Sequence, residues 1–208
     1  MHNFGPGRHA HFPQARLIEE DRKLYGTTVA GGTYPNPCSS YDRGGGTVFS
    51  VTQSGKERAV HSFGNGADGR EPVAGLIEVK GTFYGTTSEG GAHSSSCFGG
   101  GTVFSVTQSG KEKVLHSFGA GADGVNPMAP LIEIKAMLYC TTSAGGAYGG
   151  GTVFSITPSG TEKVLHSFGA KGDGAKPIAG LIDVDGTLYG TTEYGGTHGS
   201  GTVFALKP

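Results

Sequence analysis

The sequence predicts an all-β fold made of four repeated antiparallel units. A set of short motifs returns about every 50 residues, tight-turn dipeptides fall at fixed places within each return, and every stretch with a helical period is interrupted by glycine or proline. Gly-Thr-Val-Phe begins at Gly46, Gly101, Gly151 and Gly201. His-Ser-Phe-Gly begins at His61, His116 and His166, and a degenerate copy, His2-Asn-Phe-Gly5, opens the chain. A proline stands eleven residues after each of these histidines, at Pro13, Pro72, Pro127 and Pro177. Leu17, Leu76, Leu131 and Leu181 follow, each with a tyrosine eight residues later, at Tyr25, Tyr84, Tyr139 and Tyr189. The order of motifs never changes, which is the mark of a repeat architecture.

Each unit reads as four short strands. The first, Ala179–Val184, is apolar and β-branched and ends at Asp185-Gly186, a dipeptide suited to a two-residue hairpin. The second is Thr187–Thr192. A glycine-rich loop leads to the third, where Phe154 and Ile156 alternate with Val153 and Ser155. Ser159-Gly160 turns the chain into the fourth, Lys163–Phe168. Four antiparallel strands per unit at this period describe a blade of a β-propeller. The reading is a single four-bladed domain over residues 1–208, with repeats at approximately 1–60, 61–115, 116–165 and 166–208; the alternatives are two chains joining into an eight-bladed ring, or an excerpt of a longer array. The last repeat stops after its third strand, while the chain opens on the end of a fourth. Met1–Phe4 is therefore expected to pair beside Thr202–Leu206 and close the ring, leaving no open sheet edge.

Composition narrows the rest. Forty glycines among 208 residues far exceed ordinary usage of about 7%, yet the apolar residues are too regularly placed for disorder. A formal charge of −1 with interspersed signs carries no footprint for nucleic acid or an anionic membrane surface. No run approaches the roughly 18 apolar residues of a spanning helix, and Met1-His-Asn-Phe-Gly has no signal-peptide pattern. Three cysteines are too few for a disulfide framework and lack zinc-type spacing. Cys140 stands where the repeat has glycine and reads as a small buried filler. Cys38 and Cys97, in corresponding extended loops, are a candidate disulfide that suits an oxidising compartment.

Gly-Thr-Val-Phe, His-Ser-Phe-Gly, Asp-Gly-x-x-Pro and Leu-Tyr-Gly-Thr-Thr, in this order and over essentially the whole chain, resemble the GloVer tandem repeat. The resemblance implies a propeller of unassigned activity from exported, often surface-anchored bacterial proteins, and with it an extracellular or periplasmic setting. This chain differs in its first repeat and in having no visible anchor.

Candidate functional residues fall on the loops after the second and fourth strands, which are expected to open on one end of the fold. The recurring His61, His116 and His166, with Asp68, Asp123 and Asp173 seven residues later, read as structural, since a catalytic site seldom needs a residue in every repeat. His2 is the degenerate member of this set. The first repeat departs from the pattern with His9 and His11, and His93 and His198 occupy equivalent loops of the second and fourth repeats. These four form a candidate divalent transition-metal set. Glu89 and Glu193, with Tyr34, Tyr41, Phe98, Tyr148 and Tyr194, form a candidate ligand surface, with a pocket expected beside the first and second repeats. No nucleophile–base arrangement suggests a catalytic site.

Three functions fit these features. The first is a recognition module for a glycan or a protein partner. The second is a metal-assisted hydrolase or lyase acting on a polysaccharide. The third is a structural or assembly unit, either monomeric or pairing through a propeller face.

Overall fold

The computed structural model describes residues 2–5, 10–36, 44–94 and 100–208. Cys38 and Cys97 lie outside them, as do Tyr41, Phe98 and His9. Among the described residues there is no helix. Four main sheets follow one another along the chain, each built from strands that pair in sequence order. Two two-stranded ladders, Gly124–Val125 with Ala144–Gly145 and Gly174–Ala175 with Tyr194–Gly195, tie connections to loops. The first sheet comprises Ile18–Glu20, Lys23–Thr28, Thr47–Thr52 and Glu57–Ser62. The second comprises Ile77–Val79, Thr82–Thr87, Thr102–Thr107 and Glu112–Ser117. The third comprises Ile132–Ile134, Met137–Thr142, Thr152–Ile156 and Glu162–Ser167. The fourth has three strands among the described residues: Ile182–Val184, Thr187–Thr192 and Thr202–Leu206. All these pairings are antiparallel.

The opening strand of each sheet is three residues long, and in the fourth sheet it begins at Ile182, later than the expected start at Ala179. Its hairpin takes two residues with positive φ, as the right-handed twist of paired strands favours. Asp185 (53°) and Gly186 (77°) supply them in the fourth sheet, and Lys135 (53°) and Ala136 (64°) in the third. The backbone NH of Ala136 is held by Glu133, one strand position before the turn. Between the third and fourth strands the register shifts once in each complete sheet, at Val48/Phe49, Val103/Phe104 and Val153/Phe154. Such a bulge bends the strand at the same place in every repeat.

Alternation along the third strand feeds two cores at once. Phe154 and Ile156 join Tyr84, Val103, Leu115 and Phe118 of the second sheet. Val153, pointing the other way, joins Leu181 and Leu188 of the fourth repeat. The same exchange places Phe104 and Val106 against Tyr25, Val48, Val60 and Phe63 of the first sheet. Edge-to-face phenyl pairs mark the junctions, with Phe63–Phe104 at 4.8 Å and Phe118–Phe154 at 5.0 Å between centroids. Phe168–Phe204 continues the series at 4.9 Å.

Cys140 is fully buried and unpaired, with its thiol 3.2 Å from the Ala129 carbonyl oxygen. Burial pushes that thiol up to about 12, so it stays protonated and unreactive. The threonines that recur after the tyrosine are also structural. Thr28–Thr47, Thr87–Thr102, Thr142–Thr152 and Thr192–Thr202 each form a hydroxyl pair at 2.8–2.9 Å across the second and third strands.

The expected closure is not formed among the described residues. His2–Gly5 belong to no strand, and Thr202–Leu206 pairs only with Thr187–Thr192. Phe4 packs edge-on against Phe49 at 5.1 Å, and His2 Nε2 lies 3.2 Å from Glu57 Oε2. The opening residues thus stand against the first sheet as Phe63 stands against the second. Among the described residues no further sheet lies behind them, whereas Phe63 follows the fourth strand of the first sheet.

Candidate functional site

The loop end of the fold is tied together by backbone bonds that recur with the repeat. The NH of Phe63, just after the fourth strand, donates to Gly46 O at 2.9 Å, beside the start of the third. Glu71 N then donates to Gly45 O at 2.8 Å, and its own carbonyl accepts from Ser88 N at 3.0 Å. Asn126 makes the equivalent pair with Gly100 O and Ser143 N, and Lys176 with Gly150 O and Glu193 N. Both loop types therefore share one end, and each connection is stitched to the loop of the sheet that follows it. A glycine is required at Gly46 for this approach. It sits at φ 96°, and a Cβ there would fall 2.6 Å from Pro72 Cδ.

The residue before each repeat proline is held in an uncommon conformation. Phe12, Glu71, Asn126 and Lys176 have φ of 58°, 58°, 56° and 58°. Positive φ is unusual for any residue with a Cβ, and a following proline already restricts the α region. The surrounding backbone bonds hold this strain, and strained positions of this kind concentrate at binding sites. Here one rigid backbone position presents an aromatic, an acid, an amide and a cation in turn.

Each of the three polar side chains finds a different partner. Glu71 Oε1 accepts from Asn36 Nδ2 at 3.3 Å, across the boundary between the first and second repeats. Asn126 Nδ2 donates to Ser88 O at 2.9 Å. Lys176 Nζ lies 2.8 Å from Glu193 Oε2 and 5.3 Å from the centre of the Tyr194 ring. Glu193 is therefore engaged by a cation, which holds its carboxyl below the ordinary carboxylate range.

Glu89 is placed differently. Its backbone exchanges paired hydrogen bonds with Arg70, and the charge of Glu71 acts on its carboxyl. Burial raises both carboxyls; the Glu71 charge raises Glu89 further, while Arg70 lowers both. The Arg70 Nε is buried and without a hydrogen-bond partner among the described residues. Tyr34, two residues before Asn36, leaves about a third of its surface open. Tyr148 and Tyr194, in the corresponding loops of the third and fourth repeats, are exposed.

The recurring histidines and aspartates meet within each connection. The His61–Asp68 separation is 3.2 Å, and both His116–Asp123 and His166–Asp173 are 2.9 Å. The other oxygen of each aspartate accepts a backbone NH, from Gly64, Gly124 and Gly174 respectively. Each imidazole also stands edge-on to the phenylalanine two residues later. A third group comes from the neighbouring sheet. Glu162 joins His116 and Asp123, with ligand-capable atoms of all three within 4.8 Å of one another.

Glu112 faces His61 and Asp68 in the same manner, and burial pushes its carboxyl up to about 7; His61 lowers it and Asp68 raises it. One carboxyl oxygen of Glu112 and one of Glu162 are buried without a partner among the described residues, as suits a protonated acid. The His116–Asp123–Glu162 set has the nitrogen and oxygen donors of a divalent-cation site. His11, His93 and His198 form no comparable group among the described residues. His11 instead pairs its backbone with Ala30, and the His198 carbonyl accepts from Ser200.

Sequence reasoning passed over Arg70, Glu71, Glu112 and Glu162. For the last two a signal was present, since Glu57, Glu112 and Glu162 each precede a repeat histidine by four residues. For Glu71 the signal was variation at a fixed place, the residue before the proline.

Comparison with known proteins speaks to the fold. The model of the Gloeobacter/Verrucomicrobia repeat matches residues 37–208. Among solved structures, the computationally designed Ika4 protein aligns with a TM-score of 0.51 at 15% identity, over 93% of this chain and 91% of that one. Virginiamycin B lyase from Staphylococcus aureus aligns with a TM-score of 0.55 at 15% identity, over 93% of this chain. The match spans 55% of the lyase. No curated protein matches the sequence. The architecture is all-β, antiparallel and propeller-like.

Proposed function

We propose that this chain, which belongs to the Gloeobacter/Verrucomicrobia repeat family, is a recognition module of four propeller blades that binds a neutral carbohydrate at its loop end. The convergence of Glu71, Glu89, Arg70 and Asn36 at the boundary of the first two repeats carries this reading. Carboxylates, an amide and a guanidinium supply the acceptors and donors that vicinal hydroxyls need, and the Tyr34 ring offers a face for stacking. Burial raises the carboxyls of Glu71 and Glu89, and the Glu71 charge raises Glu89 further, so uncharged hydroxyls suit this group better than added negative charge. The strained backbone under Glu71 supports pre-organisation, which lowers the entropic cost of binding.

Titration calorimetry against a panel of neutral and acidic oligosaccharides tests the proposal. Binding of a neutral glycan is expected, weakened at least about tenfold, or about 1.4 kcal/mol, by Tyr34→Ala and by Glu71→Gln. A protein that ignores every neutral glycan, or binds one equally well after both substitutions, overturns it. Release of cleaved sugar during titration would move the chain to the enzymes.

A further inference from the structure

We propose that the two end faces of this array are complementary halves of one further junction, and that a second copy of the chain completes it. The argument rests on the three junctions already inside the molecule. In each, the earlier sheet presents its tyrosine, its valine of Gly-Thr-Val-Phe and the phenylalanine after its fourth strand. The later sheet answers with its leucines and the phenylalanine of its own Gly-Thr-Val-Phe.

The first sheet carries the answering half with no sheet against it. Leu17, Leu24, Phe49 and Val51 line an apolar groove of about 400 Å³, whose rim includes His2 and Phe4. The fourth sheet carries the presenting half, equally open. Ile182 is 60% exposed and Val203 is 79% exposed, whereas Val48, Val103 and Val153 at the same motif position are fully buried. Among the described residues no fourth strand pairs with the edge of Thr202–Leu206, as one does in the other three sheets, and His2-Asn-Phe4 matches the His-Ser-Phe motif at the end of such a strand.

Among the described residues of one copy the two faces do not meet: no residue of the fourth sheet lines the groove, and Val203 is left exposed. Two copies related by a two-fold axis bring each presenting face onto an answering face, making two equal junctions and a closed ring of eight sheets. A head-to-tail contact that closes in this way ends growth and leaves no open edge.

Sedimentation velocity of the full chain tests the proposal. A species of about 42 kDa, twice the 21.2 kDa chain, is expected across a wide concentration range. Val203→Glu and Leu24→Glu each spoil one face, and each alone should give a monomer with an unchanged far-UV circular dichroism spectrum. Mixed in equal amounts, the two variants retain one sound face apiece and should form a dimer again. A monomeric wild-type chain overturns the proposal, as does a dimer indifferent to both substitutions. Mass that grows beyond two copies with concentration would mark an open filament and overturn the closed ring.

Discussion

Val153 and Val203 occupy the same place in the same motif, opposite Thr141 and Thr191 of their neighbouring strands, yet one is fully buried and the other is 79% exposed. Nothing local separates them. Val153 has His166 of a fourth strand beside it and the fourth repeat's leucines over it; Val203 has neither. A repeat of this kind therefore has no core of its own. Its apolar residues become a core only when the next sheet arrives, and stability accrues at junctions in the nearest-neighbour manner of stacked repeats.

That contrast can be broken most sharply at a junction. Phe104 is fully buried and packs edge-to-face against Phe63, so Phe104→Ala should cost about 3–5 kcal/mol in urea denaturation. A loss under about 1 kcal/mol would mean that the junctions are not where stability resides. The matched valines sharpen the comparison. Val153→Ala should cost about 2 kcal/mol, and Val203→Ala less than about 0.5 kcal/mol in the isolated chain. Any further effect at Val203 should scale with protein concentration, since it would report association.

The junction also has a proton signature. The folded state keeps a proton on Glu112 up to about pH 7, whereas the carboxyl of an unfolded chain releases it near 4.5. Between these values the folded state binds more protons than the unfolded one. The associated stability is complete below the lower value and is lost as pH rises through the upper one. Glu112→Gln should flatten that part of the profile of melting temperature against pH. A slope unchanged from wild type would remove Glu112 from the account.

The smallest effect belongs to an exposed turn. Ala136 is held at φ 64°, where the second and fourth repeats have Gly81 and Gly186. Ala136→Gly should leave the fold unchanged and raise stability by about 0.5 kcal/mol, readable as a small upward shift of the denaturation midpoint.

The architecture was legible because its determinants are local and repeated. The period, the alternation of Phe154 and Ile156 with Val153, the hairpin at Asp185-Gly186 and the turn at Ser159-Gly160 lie within a few residues of one another. Local backbone chemistry dictates them without reference to the rest of the chain. The recurring His–Asp spacing of seven likewise spans a single connection.

What only the tertiary structure decided lies between repeats. Glu89 and Glu193 read alike in sequence as members of one ligand surface, yet the charge of Glu71 acts on Glu89, while Glu193 is held by Lys176. The positive φ before each proline, the carboxyls of Glu112 and Glu162 meeting the histidines of the preceding sheet, and the open faces at the two ends follow the same rule. Identical motifs acquire different partners according to which sheet lies beside them. Burial and charge at these places are properties of the junction, and a single repeat read alone contains only half of one.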